Sequence, residues 1–136
     1  MPLYVVLDTN VLVSSLLSTN ADSATVLVLK ALFSDKVTPI YSKAILDEYI
    51  NVLHRAKFGF PHATIDYLLQ TIINYGLCID PSPSGCVLPD MKDLPFYEVV
   101  LEKKDDNAYL VTGNIRHFPK EPFVVTPREF LTLIKL

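Results

Sequence analysis

Short apolar runs rich in β-branched residues alternate along the chain with longer segments whose apolar residues recur every three or four positions. The short runs predict buried strands, and the longer segments predict amphipathic helices. The predicted strands cover residues 3–7, 37–41, 77–80, 108–112 and 123–125. The predicted helices cover residues 21–35, 42–58, 61–75, 94–104 and 126–136. This alternation predicts an α/β protein, a three-layer α/β/α sandwich around a central, mainly parallel sheet of about five strands.

The last predicted helix has the clearest boundary. Thr126 is a good N-cap, Pro127 suits the first helical position, and Glu129 completes a capping box. The Pro-rich stretch at residues 81–92 is typical of a surface loop. Since the sequence has no internal repeat and the length of one ordinary domain, residues 1–136 are predicted to form a single domain.

Composition excludes some classes of protein and leaves others open. Half of the residues are hydrophobic, but no apolar run approaches the roughly 18 residues that cross a bilayer. No basic region precedes the first apolar stretch, so we expect no secretory signal, no membrane association and a cytoplasmic location. Cys78 and Cys86 have poor spacing for zinc and are interpreted as free thiols. The net charge of −3 does not favour nucleic acid, but a metal-dependent nuclease needs acidic residues itself.

The order of the predicted strands and helices indicates which acidic residues lie at the carboxyl ends of the strands and which lie at the opposite ends. In open parallel sheets, functional crevices lie outside the carboxyl ends of the strands. Asp8 directly follows the first predicted strand, and Asn114 follows the fourth through a Thr-Gly turn, so both belong at this edge. Asp105 and Asp106 precede the fourth strand and are predicted to form a solvated turn at the opposite end.

Two further carboxylates could reach the same edge. Glu48 borders the apolar face of its predicted helix, about 40° from Val52, although an ordinary flanking Glu would occupy the same place. Asp93 lies where an N-cap is expected; capping alone could explain it, but one oxygen can cap while the other binds a cation. Asp90 lies in the preceding loop, where a solvated carboxylate is the simpler interpretation.

If the carboxylates of Asp8, Glu48 and Asp93 lie close together, the repulsion between their negative charges must be compensated. Two charges about 4 Å apart repel by roughly 4 kcal/mol at an effective dielectric constant near 20. Either the pKa values of these acids rise, or a cation is bound. Ligands that are all oxygen atoms favour Mg²⁺ or Mn²⁺ over zinc, so if these acids converge on a cation, one of these two ions is the expected cofactor.

Five segments resemble, in this order, the PIN-domain ribonucleases, and among them the VapC-like toxins of toxin–antitoxin systems. They are DTNVLVSSLL, SKAILDEYINVLHRAKF, DMKDLPFYEVV, AYLVTGN and VVTPREFL. The resemblance implies a metal-dependent ribonuclease with four acidic positions on an α/β sheet. It also implies a homodimer and a small antitoxin protein that inserts a segment into the active-site groove.

The acidic positions of the family match Asp8, Glu48, Asp93 and Asn114. Many relatives carry Asp where this chain has Asn114; the amide keeps an oxygen ligand but removes a negative charge, which favours one bound metal ion over two. By the same resemblance, Thr112 supports the first Asp. Supporting roles are also expected for Thr9, Asn10 and Asp90, the first two of which open the first helix.

The implied mechanism is hydrolysis of RNA phosphodiester bonds. Asp8 and Asp93, with Glu48 directly or through water, would hold the ion that polarises a phosphate oxygen and activates a water molecule. Glu48 is the better candidate to orient or deprotonate that water. Cations near the acids would bind RNA, and Lys43, Arg116 and His117 are the predicted contacts.

Several alternatives remain at this stage. A catalytically weak or inactive PIN-like binding module, acting through a protein or RNA partner, is compatible with Asn114. A dehalogenase-type phosphotransferase would need a second Asp where Asn10 stands, and a receiver domain would need Lys-Pro where Thr126-Pro127 stands. The apolar segments 24–33 and 65–75 could form dimer contacts or simply pack in the core.

Overall fold

A computed structural model describes residues 3–34 and 36–134 of the chain. Within these ranges the chain forms five strands and six α-helices, with one or two α-helices between most successive strands. The strands are β1 (Leu3–Leu7), β2 (Val37–Tyr41), β3 (Leu77–Cys78), β4 (Ala108–Val111) and β5 (Val124–Val125). The helices are α1 (Thr9–Leu17), α2 (Ala24–Ala31), α3 (Lys43–Leu53), α4 (His62–Tyr75), α5 (Leu94–Lys103) and α6 (Pro127–Ile134).

The strands form one sheet in the order β3-β2-β1-β4-β5, and every neighbouring pair is parallel. From β1 the chain builds outward to β2 and β3, then returns to place β4 on the other side of β1. The strand order therefore reverses between β1 and β4, where open α/β sheets form their ligand crevice. Leu7 pairs with Val111, so Asp8 and Thr112 follow at the same level of that edge.

Helices cover the sheet and bury its central strands. α5 packs against β1, β2 and β4, while α2 packs against α1 and α6. Val5, Val6 and Leu110 are completely buried, as expected for strands covered on both faces. The predicted three-layer α/β/α sandwich with a parallel five-stranded sheet is confirmed. Among the residues that the structure describes, no helix has both the length and the apolar character needed to cross a bilayer.

The capping box at the start of α6 is confirmed in both directions. The backbone N–H of Thr126 donates to Oε1 of Glu129 at 2.9 Å, and the N–H of Glu129 donates to Oγ1 of Thr126 at 3.2 Å. Cys78 and Cys86 are free thiols, as predicted. The predicted solvated turn at Asp105 is also confirmed, because it is exposed in a 3-10 helix before β4.

Two predicted helices are longer than the observed ones. The helix predicted from residue 21 begins at Ala24, because Ser23 caps it by accepting the N–H of Val26 at 3.4 Å. The helix predicted to residue 58 ends at Leu53, and the chain then turns through Gly59, whose φ is +64°. The helix predicted to residue 35 ends at Ala31, whose carbonyl accepts both the N–H and the hydroxyl of Ser34. The strand predicted over residues 77–80 is shorter and ends at Cys78. Residues 35, 135 and 136 of the predicted helices lie outside the described residues.

Candidate active site

Asp8 stands where β1 gives way to α1, and its backbone joins the two elements. Its N–H donates to the carbonyl of Val111 at 3.0 Å, and its carbonyl accepts the N–H of Val11 at 2.9 Å. Its side chain is 5 % exposed. Oδ2 accepts hydrogen bonds from the hydroxyl of Thr112 at 2.7 Å and from Nδ2 of Asn10 at 3.1 Å. The backbone N–H of Thr9 also donates to this carboxylate. No side chain of a described residue donates to Oδ1, so this oxygen is available for a ligand.

The turn after β4 orients the hydroxyl of Thr112. Its Oγ1 accepts the backbone N–H of Asn114 at 2.9 Å, so the hydroxyl proton is directed at Asp8. The N–H of Gly113 donates to Oδ1 of Asn10 at 3.2 Å. The end of β4 and the start of α1 are therefore tied together by hydrogen bonds around one carboxylate.

Glu48 reaches the same edge from α3. Its side chain is half-buried, and Oε2 accepts a hydrogen bond from the hydroxyl of Thr9 at 2.6 Å. Since Thr9 follows Asp8 in the chain, this bond holds the carboxylate of Glu48 on the same side of the crevice as the carboxylate of Asp8. Tyr49 is buried and donates its hydroxyl proton to the carbonyl of Leu7, which fixes α3 against the end of β1.

Asp93 occupies the N-cap position of α5, but the capping interpretation of its side chain is wrong. It makes no side-chain capping bond, because a 3-10 turn precedes α5 and Asp90 caps that turn by accepting the N–H of Lys92 at 3.0 Å. Oδ2 of Asp93 is buried without a hydrogen-bond partner. Nδ1 of His117 lies 3.3 Å from it, close enough for charge attraction but not aligned as a hydrogen bond.

The carboxylates of this site disfavour one another's charge. Burial raises the pKa of Asp8 to about 6; the hydrogen bond from Thr112 lowers it, and the charges of Asp93 and Glu48 raise it further. Burial is also the main cause that raises the pKa of Asp93; the charges of Asp90 and Glu48 raise it further, and His117 lowers it. Carboxylates from β1, α3 and the start of α5 thus interact at the β1–β4 crevice.

The donor set suits a hard divalent cation. In the part of the chain that the structure describes, no three His, Cys, Asp or Glu side chains are near enough to one another to hold a metal ion as they stand. However, the unpartnered Oδ2 of Asp93 and the raised pKa of Asp8 both indicate negative charge that lacks compensation. Mg²⁺ or Mn²⁺ would supply it, since these ions prefer oxygen ligands.

The other predicted residues are distributed around this site. Asn114 is exposed and contributes its backbone N–H to the turn. Arg116 and His117 follow it in the 3-10 helix Ile115–His117, where Arg116 lines a neighbouring cavity. Lys43 is exposed at the start of α3 and lines a different cavity, and no hydrogen bond or ion pair joins it to a described carboxylate of the site.

The sequence analysis did not predict two contacts of this site: the hydrogen bond from Tyr49 to Leu7 and the approach of His117 to Asp93. A signal for Tyr49 existed, because a hydroxyl on the apolar face of a helix needs a buried acceptor. No signal pointed to the approach of His117 to Asp93, since it depends on how two loops meet in space.

A family model described as PIN domain matches residues 4–116 of the chain. The match spans β1 to β4 and includes Asp8, Glu48, Asp93 and Asn114. No curated protein and no solved structure matches the chain.

Proposed function

The chain belongs to the PIN domain family, whose members have a nuclease-type fold and are generally metal-dependent, and from this premise we propose that it is a ribonuclease that hydrolyses RNA phosphodiester bonds. The observation that supports the proposal is the mutual repulsion of Asp8, Glu48 and Asp93, which come from three elements, beside a buried oxygen of Asp93 that has no hydrogen-bond partner. Such an arrangement is costly unless a cation is bound there.

We assign Mg²⁺ or Mn²⁺ to Asp8 and Asp93, with Glu48 contributing directly or through water. When bound, the ion supplies Lewis acidity at a phosphate oxygen and eases ionisation of the attacking water. Oδ1 of Asp8 and Oε1 of Glu48 accept no side-chain hydrogen bond in the described chain, and Oδ2 of Asp93 has no hydrogen-bond partner there. These three atoms are the ligands or bases that the proposal requires.

Glu48 is the proposed base. The hydroxyl of Thr9 occupies Oε2 and leaves Oε1 to orient the water and accept its proton as the oxygen attacks phosphorus. Thr9, Asn10 and Thr112 act as positioning residues because they hold the carboxylates rather than touch the substrate. Asn114 offers a neutral oxygen at the same edge without adding repulsion, which favours a single ion.

A matched pair on α3 tests the proposal. Glu48→Gln is expected to reduce cleavage of a mixed RNA panel by about a hundredfold or more, whereas Asp47→Asn, exposed one position earlier, should cleave like the wild type. The assay uses purified protein with Mg²⁺, Mn²⁺ or a chelator. Cleavage that persists in chelator, or that is equal in both variants, would contradict the assignment and reveal a contaminating ribonuclease.

We further propose that the protein acts in the cytoplasm as the toxin of a type II toxin–antitoxin pair and forms a homodimer. Exposed aromatic rings on the segments expected to pair support the dimer: Phe33 is 54 % exposed, Tyr67 is 58 % exposed, and their ring centroids are 6.1 Å apart. Light scattering should give a dimeric mass for the wild type and a lower mass for a variant with Ser at both positions. Equal masses would place the dimer contact elsewhere or exclude it.

A second candidate is a binding module without turnover, and Asn114 is the observation that favours it. This candidate predicts that calorimetry detects no Mg²⁺ or Mn²⁺ binding and that no RNA is cleaved. Metal binding that is lost in Asp8→Ala would favour the enzyme instead.

A further inference from the structure

A cavity of about 400 Å³ lies beside the 3-10 helix that follows β4. Its apolar wall is formed by Ile115, Phe118, Val124 and Val125. The first of these follows Asn114 in the chain, so the 3-10 helix that brings His117 to Asp93 also forms one side of the cavity. Val125 pairs with Val111 at the end of β4, so the cavity lies at the same edge of the sheet as the acidic site.

The rim of this cavity carries unpaired cations. Arg116 and Lys120 both line it, and neither forms an ion pair with a residue that the structure describes. The lining also holds two acids, Glu121 and Glu129, and an oxygen of Glu129 accepts the N–H of Thr126 in the capping box of α6. The charges of the lining therefore balance, but its two cations have no ion-pair partner and can bind a phosphate group, while the apolar wall suits a flat, weakly polar group.

The cavity on the other side of the site has the opposite character. It measures about 650 Å³ and lies between α3 and α5, lined by Asp47, Asp80 and Glu98 with Lys43 as its one cation in the described lining. A polyanion is repelled from such a surface. The charges thus direct a nucleic-acid strand towards the cavity beside the 3-10 helix.

We propose that the cavity beside the 3-10 helix binds the base of one unpaired RNA nucleotide adjacent to the scissile bond. This inference rests on the proposed ribonuclease function. The apolar wall contacts the face of the base, and Arg116 with Lys120 contacts its phosphate. The nucleotide must be unpaired because a base within a duplex is not free to enter a pocket, whereas single strands present theirs to apolar and aromatic platforms.

The test measures binding separately from cleavage. A labelled single-stranded RNA is titrated in chelator by fluorescence anisotropy, beside versions that carry one abasic nucleotide at each position in turn. In the wild type, one abasic position is expected to weaken binding about tenfold, and this position should neighbour the bond that is cut when Mg²⁺ or Mn²⁺ is supplied.

Matched variants assign the effect to this cavity. The abasic profile is the affinity plotted against the position of the abasic nucleotide. Ile115, 39 % exposed, lines the cavity, so Ile115→Trp should fill it and make this profile flat. Leu133, 44 % exposed, lines a different cavity beside Leu3, so Leu133→Trp should leave the profile unchanged. Lys120→Ala should reduce the slope of log affinity against log salt by about one. Lys104→Ala, at the opposite end of β4, should not change it.

The outcomes separate this inference from the function on which it rests. A flat abasic profile in the wild type, or a position-dependent profile that survives in Ile115→Trp, overturns the nucleotide site even if RNA is cleaved. The expected profile without cleavage under any metal supports the nucleotide site and overturns the ribonuclease. A flat profile would also be the result if the cavity held a protein segment instead.

Discussion

Replacing Asp8 by Asn is expected to lower the rate of metal-dependent RNA cleavage by about a thousandfold. The amide has the shape of the carboxylate and can still accept the hydroxyl of Thr112. What it loses is the negative charge, and with it the ability to attract a divalent ion to the β1–β4 crevice. The measurement is the initial rate of cleavage at saturating Mg²⁺ or Mn²⁺, with metal affinity determined by calorimetry.

The same substitution is not expected to weaken the fold. Burial and neighbouring carboxylates disfavour the charge of Asp8, so without metal a neutral amide should unfold at the same or a higher temperature. Asp105→Asn, which removes a carboxylate at the exposed opposite end of the sheet, is the matched control and should cleave normally. Near-normal cleavage by Asp8→Asn would contradict the assignment of Asp8, whereas loss of both activity and folding would contradict the electrostatic argument.

The metal-free protein is expected to lose stability as pH rises from about 4 to about 7. The pKa of Asp8 is about 6 in the folded state against an ordinary value of 3.8, so the folded state binds the proton more tightly than the unfolded state does. This contribution is fully present below the unfolded pKa and is lost as pH rises through the folded pKa. Each pKa unit corresponds to about 1.4 kcal/mol, so the loss approaches about 3 kcal/mol.

The measurement is the free energy of unfolding by denaturant at each pH in the presence of a chelator. Other carboxylates titrate in this range, so the informative quantity is the wild-type value minus that of Asp8→Asn, which should fall across the window. Adding Mg²⁺ at pH 7 should raise the stability of the wild type but not of the variant. A difference that stays constant or rises with pH would show that the crevice does not disfavour the charge of Asp8.

The sequence was sufficient for the parts of the fold that depend on local pattern. Strand-like apolar runs and helical periodicity predicted the parallel sheet, and a Thr-Pro-x-Glu pattern predicted the start of α6. The shared edge of Asp8 and Asn114 follows from the same reasoning, because both residues come directly after parallel strands. The family match covers this region but does not extend to β5.

Features that depend on tertiary contacts could not be predicted in this way. Asp93 has the sequence position of a cap, yet a preceding turn capped by Asp90 leaves its carboxylate free. The end of α3 at Leu53 is set by the turns that follow it, which hydrophobic periodicity does not register. His117 has no partner near it in the chain; its contact with Asp93 exists because the turn after β4 meets the loop before α5.

The hydrogen bond from Thr112 to Asp8 joins residues 104 positions apart in the chain. During translation β1 leaves the ribosome long before β4, its neighbour in the middle of the sheet. Until β4 emerges, one side of β1 has no partner strand, and the carboxylate of Asp8 has no hydroxyl to fix it. A nascent chain that still lacks β4 therefore cannot assemble the crevice, so the proposed nuclease activity could not appear before that point of synthesis.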